Sequence, residues 1–162
     1  MGLKAFFCFD HRLDIQRARR VKNCWETRGG RASGFPKPEV WKKLTQKGEP
    51  AYLRWIENQV ASADVCVVLI GSETNADTGV RHAMRLAHRL QKGLLGIYVH
   101  QIRGAFGEKQ VKGKNPLETL FIVKDLRRVV LSDIYPTYDW LEDAGHFHLQ
   151  QWIEKAGRAT HL

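Results

Sequence analysis

The chain has 162 residues, 43% of them hydrophobic and 10% aromatic, and a formal net charge of +9. That length suits one domain, residues 1–162, and the supply of aromatic and β-branched residues argues against global disorder. No apolar run reaches the length of a membrane span, which argues against a membrane protein.

Residues 3–9 form an apolar run that predicts the first strand. Asp14 is placed to cap a helix running to Trp25, with Ile15, Ala18, Val21 and Trp25 on one face. Residues 28–38 hold three glycines and two prolines and read as a loop long enough to be functional. Val40 and Trp41 read as a short second strand or its end. Pro50 suits the first turn of a helix that buries Leu53, Ile56 and Val60 and ends at Ala63. Residues 65–70 are unbroken apolar sequence, as expected of a strand buried on both faces of a parallel sheet. Gly71 and Ser72 end it. Asp77 or Thr78 then caps a helix to Lys92, with Gly93 as its C-terminal glycine. Val80, Met84, Ala87 and Leu90 mark its core face. Residues 94–100 give the next strand, and 101–116 a loop rich in glycine and lysine. Residues 129–131 read as an edge strand and 147–156 as a terminal helix, with the tail after Gly157 expected to fray. The alternation predicts an α/β fold: a mostly parallel sheet of four to five strands with helices on both faces.

The positive charge is uneven. Residues 78–107 hold no acidic residue, while Arg81, Arg85, Arg89, Lys92 and Arg103 all fall there. Such a run attracts phosphates or a polyanion, although a solvated helix face explains any single arginine equally well. No nucleic-acid-binding motif and no interleaved aromatics accompany it, so no specific nucleic-acid partner is expected. Cys8, Cys24 and Cys66 lack zinc spacing and read as reduced thiols of a cytoplasmic protein, without a metal site. The N-terminus carries no signal-peptide pattern, and Phe6 stands where a myristoylation motif needs Ser or Thr.

The common catalytic signatures are missing: no G-x-G-x-x-G, no G-x-x-x-x-G-K-[ST] and no G-x-S-x-G. What remains is a polar rim at the carboxyl ends of the strands, where open α/β sheets bind ligands. Phe9, Asp10, His11 and Arg12 follow the first strand. Trp41 lies near the second, and Ser72 to Asn75 follow the third. Arg81 and His82 lie near the start of the helix after that.

Several of these segments carry a family resemblance. They are Lys4 to His11, Val67 to Thr74, Val80-Arg81-His82, Lys92 to Ile97, Gly113 to Leu117 and Tyr135 to Trp140. As an ordered set over nearly the whole chain, they resemble the TIR-like proteins of bacterial Thoeris antiphage systems, the ThsB group. The resemblance implies a flavodoxin-like TIR fold and a bacterial cytoplasmic enzyme that takes NAD+ as substrate and needs no cofactor. The implied reaction breaks the nicotinamide–ribose bond and yields an ADP-ribose-derived signal, often cyclic, that activates a partner effector protein. It further implies activation by phage infection, and a homo-oligomer is open. In such a site, Phe9 and Trp41 would offer apolar walls to nicotinamide or adenine. Asp10, His11 and Ser72 would bond ribose or phosphate oxygens, and Arg81 would pair with the pyrophosphate.

One departure stands out. The family places its catalytic glutamate after the valine-arginine-aromatic or histidine element, and here Val80-Arg81-His82 is followed by Ala83. A tryptophan often stands four residues earlier, and here that position is Gly79. Glu73 and Asp77 are close in sequence but precede the helix. Two explanations stand: a glutamate replaced to make an inactive protein, or a TIR-like domain that binds a nucleotide or works by protein contacts without catalysis. The intact surroundings favour the first.

Overall fold

The computed structural model describes residues 2–159. Five parallel strands form the central sheet: β1 (Lys4–Cys8), β2 (Arg31–Ser33), β3 (Val65–Ile70), β4 (Gly93–Tyr98) and β7 (Thr137–Asp139), in the order β2-β1-β3-β4-β7. β5 (Phe121–Lys124) and β6 (Arg127–Val130) make a separate antiparallel hairpin. The helices are α1 (His11–Thr27), α2 (Pro38–Gln46), α3 (Glu49–Ser62), α4 (Thr78–Arg89), α5 (Pro116–Thr119) and α6 (Gly145–Ala159). This is the α/β fold with a parallel sheet that the strand–helix alternation predicts, and the TIR-like fold that the family resemblance implies.

The apolar strand runs follow from burial on both sides. Ala5, Phe7, Val65, Val67, Leu69, Leu95 and Ile97 face α1 and α6, packing on Ala18, Val21, Trp25, Leu149 and Ile153. The alternate residues Phe6, Cys8, Cys66, Val68, Ile70 and Leu94 face α3 and α4, packing on Ile56, Val60, Val80, Met84 and Ala87. A one-residue slip would exchange the two sets.

Several boundaries differ from the sequence reading, each for a local reason. Asp10, not Asp14, caps α1, its carboxylate accepting from the Arg12 and Leu13 N–H groups at 3.0 and 3.3 Å. Asp14 is instead buried inside the helix. The loop over 28–38 contains β2, held by parallel pairing with β1 from Lys4↔Arg31 to Phe6↔Ser33. Val40 and Trp41 lie on α2, which Pro38 opens with its fixed φ. Gln91, at φ 58°, makes the left-handed turn after α4, so Gly93 is free to start β4. Leu90 follows the helix and is 43% exposed. Residues 127–130 pair within the hairpin, and β7 is the sheet edge. α6 continues through Ala159, and the last three residues of the tail lie outside the described residues. Among the described residues, no helix is long and apolar enough to cross a membrane.

Candidate functional site

Strand order reverses between β1 and β3: from β1 the chain crosses to β2 on one side, then to β3 on the other. Loops leaving the carboxyl ends of two such strands diverge and leave a crevice. Here it is a cleft of about 470 Å³. Asp10, His11 and Arg12 come from the end of β1, and Glu73, Ala76, Asp77 and Thr78 from the end of β3. Trp41 and Thr45 of α2, with Gly48, Glu49 and Tyr52 around the turn into α3, close the outer wall.

The crevice is open on the β1 side because a loop covers the other side. Residues 101–115 fold over the ends of β3 and β4. Gln110 N–H bonds the His100 carbonyl at 2.8 Å, and a Cβ on Gly113 would lie under 3.0 Å from the carbonyl oxygens of Gly71 and Ser72. The buried Arg17 guanidinium ties the loop down, donating to the Ile102 and Glu108 carbonyls at 2.7 and 2.9 Å. Its Nη1 pairs with Asp14 at 3.4 Å. Burial pushes the Asp14 carboxyl up to about 6.

Inside the cleft the recognition surface is aromatic. The His11 ring is sandwiched between Phe9 and Trp41, with centroids at 4.2 and 4.0 Å. Burial drops its pKa to about 4, so the imidazole is neutral at physiological pH. Tyr52 stands edge-on to Trp41 at 5.6 Å, and its hydroxyl meets Asp77 Oδ1 at 3.3 Å. That Asp77 oxygen also accepts from the Gly79 and Val80 N–H groups at 2.9 and 3.1 Å, capping α4. Burial raises the pKa of both Tyr52 and Asp77.

Two of the three helices that begin at the cleft, α1 and α4, carry an aspartate cap, while α3 begins after Gly48 with no side-chain cap. A free helix N-terminus attracts phosphate, but at α1 and α4 part of the N–H set is already occupied by a carboxylate. Arg12 is the cation on the rim, and it pairs with Glu73 at 3.0 Å. Rings, carboxylate oxygens and one guanidinium suit a planar ring and a hydroxyl-rich sugar better than a pair of phosphates.

Of the residues that the sequence singles out, Asp10, His11 and Trp41 come together in the cleft. Phe9 is 1% exposed and lies beneath His11 as the floor of the stack. Ser72 sits under Gly113 of the covering loop. Arg81 turns to Asn75 and Thr119, at 3.2 and 3.0 Å. His82 lies 3.1 Å from Glu57 on α3. Ala83 is 0% exposed, inside the apolar layer between α4 and the sheet. Beside it, Gly79 has no room for a side chain, because a Cβ there would fall within 3.0 Å of the Tyr52 ring. Sequence reasoning misses Tyr52, Thr45 and Glu49. The turn at Gly48, with φ 91°, brings them in, and the only sequence signal for it is Gly48-Glu49-Pro50. Among the described residues, no cluster of three or more His, Cys, Asp or Glu side chains is placed to hold a metal ion.

Comparison with known proteins agrees with this architecture. A protein of Bacillus cereus (strain MSX-D12) named "Putative cyclic ADP-D-ribose synthase ThsB1" is 24% identical over 191 residues, covering 94% of this chain and 100% of that protein. The family described as Thoeris protein ThsB, TIR-like domain, matches residues 6–103, which run from within β1 through β4 and include every loop that lines the cleft. The chain belongs to the ThsB TIR-like family of Thoeris proteins.

Proposed function

We propose that the switch-point cleft is an NAD+ site and that this chain holds the dinucleotide without cleaving it. Support comes from the family and from the name of the Bacillus cereus relative, "Putative cyclic ADP-D-ribose synthase ThsB1". The observation that carries the reading is the aromatic, hydroxyl-accepting cleft at the start of α4; Ala83 lies further along that helix, buried in the apolar layer and outside the cleft lining. Trp41 and Tyr52 offer ring surface to nicotinamide. The carboxylates of Asp10 and Asp77 accept from ribose hydroxyls and favour a cationic ring. Arg12, released from Glu73, faces the diphosphate.

Cleavage breaks the bond between the ribose anomeric carbon and the ring nitrogen, and the bonding pair leaves with neutral nicotinamide. Positive charge develops on the sugar, and an acid at position 83 would stabilise it. A methyl group gives no such stabilisation. Loss of a positioned acid or base costs roughly 10²–10⁴-fold in rate. With a glutamate in place of Ala83, the ADP-ribosyl cation would be captured within the same molecule to give a cyclic signal for an effector protein.

A second reading, a domain that never turns NAD+ over, rests on Gly79. The space beside it is filled by Tyr52, so the site differs from the family pattern at two positions. The experiment is mass spectrometry of NAD+ and its products in cells carrying this chain or Ala83→Glu, before and after phage infection. The expected result is nicotinamide and an ADP-ribose product from Ala83→Glu only. A folded Ala83→Glu protein that leaves NAD+ intact would favour the second reading.

A further inference from the structure

A larger hollow lies toward the opposite end of the sheet, where α4 ends and β4 begins. The turn after β6 and the last turns of α6 wall it, and its volume is about 1020 Å³. Small organic ligands occupy hollows of about 300–1,000 Å³. Its charged lining is Arg89 and Lys92 from the α4 end and Lys155 from α6, against Asp133 alone, with His88 beside them. The side chains of Arg89 and Lys155 make no hydrogen bond or ion pair with any described residue. Among the described residues, Lys92 Nζ donates only to the Ala61 carbonyl, at 3.2 Å. His88 is held by the Tyr135 hydroxyl at 2.6 Å.

The rest of the lining is aromatic and apolar. Tyr138 and Trp152 stack with centroids 4.2 Å apart and planes 5° apart, beside Leu94 and Ile122. Arg85, exposed on α4 and outside the hollow, is an ordinary solvated cation. Arg89 and Lys155 differ because they come from two separate helices and converge on one concave, ring-lined hollow. Unneutralised cations over aromatic surface recognise an anion that carries a planar ring.

We propose that this groove is a second ligand site, independent of the cleft, and that it takes a nucleotide-class anion. The phosphates would lie on Arg89, Lys92 and Lys155 and the base against Tyr135, Tyr138 and Trp152. The test uses ADP as the probe and inorganic phosphate as its ringless counterpart, titrated into the full chain and followed by amide and indole N–H chemical shifts. ADP should shift residues 88–92, 132–138 and 152–156, including the Trp152 indole, and should bind more weakly as salt rises. Arg89→Glu with Lys155→Glu should weaken it about a hundredfold, since two charged contacts are lost and each of ~1.4 kcal/mol is a factor of about ten. Phosphate should bind at least about tenfold more weakly than ADP, by the same arithmetic. Both substitutions are at exposed positions, and a circular-dichroism melt checks the fold. Three results would overturn the proposal: shifts confined to residues 10–12, 41–52 and 73–78, equal affinity in the charge-reversed variant, or equal affinity for phosphate and ADP. Absence of ADP binding would overturn it as well.

Discussion

At the carboxyl end of the sheet, the cleft sets Asp10, Glu49, Glu73 and Asp77 against Arg12 and a neutral His11. Toward the other end, the groove sets Arg89, Lys92 and Lys155 against Asp133. The net charge of +9 therefore describes the groove and misdescribes the cleft. The difference arises at the helix ends. α1 and α4 start at the cleft and recruit aspartate caps, while α4 ends at the groove with His88 and Arg89 in its last turn. Both choices are favourable to the helix dipole. Fold stability thus places acid where the family ligand would bind and base where no ligand has been assigned.

The largest effect expected concerns the loop that keeps the cleft on one side. Arg17→Ala leaves the buried Asp14 carboxyl without its cation and frees the Ile102 and Glu108 carbonyls. Breaking a buried pair in this way costs about 3–5 kcal/mol, read as a lower urea midpoint. A loss below about 1 kcal/mol, the value of an exposed pair, would show that Arg17 does not hold the loop.

A smaller effect separates the two hollows. Trp41→Ala removes the outer ring of the His11 stack and should weaken NAD+ binding about tenfold, or ~1.4 kcal/mol, by isothermal titration. Unchanged affinity would place NAD+ elsewhere.

The smallest concerns pH. His11 titrates near 4 in the folded chain and near 6.5 when free, so the unfolded chain binds the extra proton between those values. His11 therefore costs stability as pH falls through that window. Asp14 acts in the opposite sense: held near 6 against 3.8, it costs stability as pH rises between those values. In urea melts, the parent should gain on His11→Phe as pH rises from about 4 to 6.5, the span over which the imidazole is neutral only when folded. A constant gap across that span would show that the ring stack does not exclude the proton.

Much of this is legible in the sequence where burial imposes a pattern. Val65–Ile70, the Asp77 cap and the α4 core face follow from apolar spacing and one polar side chain. β2 is hidden because it is three residues long, includes Arg31 and Ser33, and exists through backbone pairing to β1. Trp41 reads as strand because Val40 and Trp41 favour strands, yet Pro38 in the first turn opens α2 there, a helix that buries no residue. Asp10 and His11 stand out because they follow a strand end. Tyr52 does not, because its approach to Asp77 depends on the α2–α3 turn and on the missing side chain of Gly79.

The most direct test of the cleft reading is one incubation of NAD+ with the present chain and with Ala83→Glu, followed by mass spectrometry for nicotinamide. The account predicts bound, intact NAD+ with the present chain and nicotinamide release with Ala83→Glu, a difference of roughly 10²–10⁴-fold in rate. Nicotinamide released by the present chain at a comparable rate would contradict it, because the chemistry would then not need an acid at position 83.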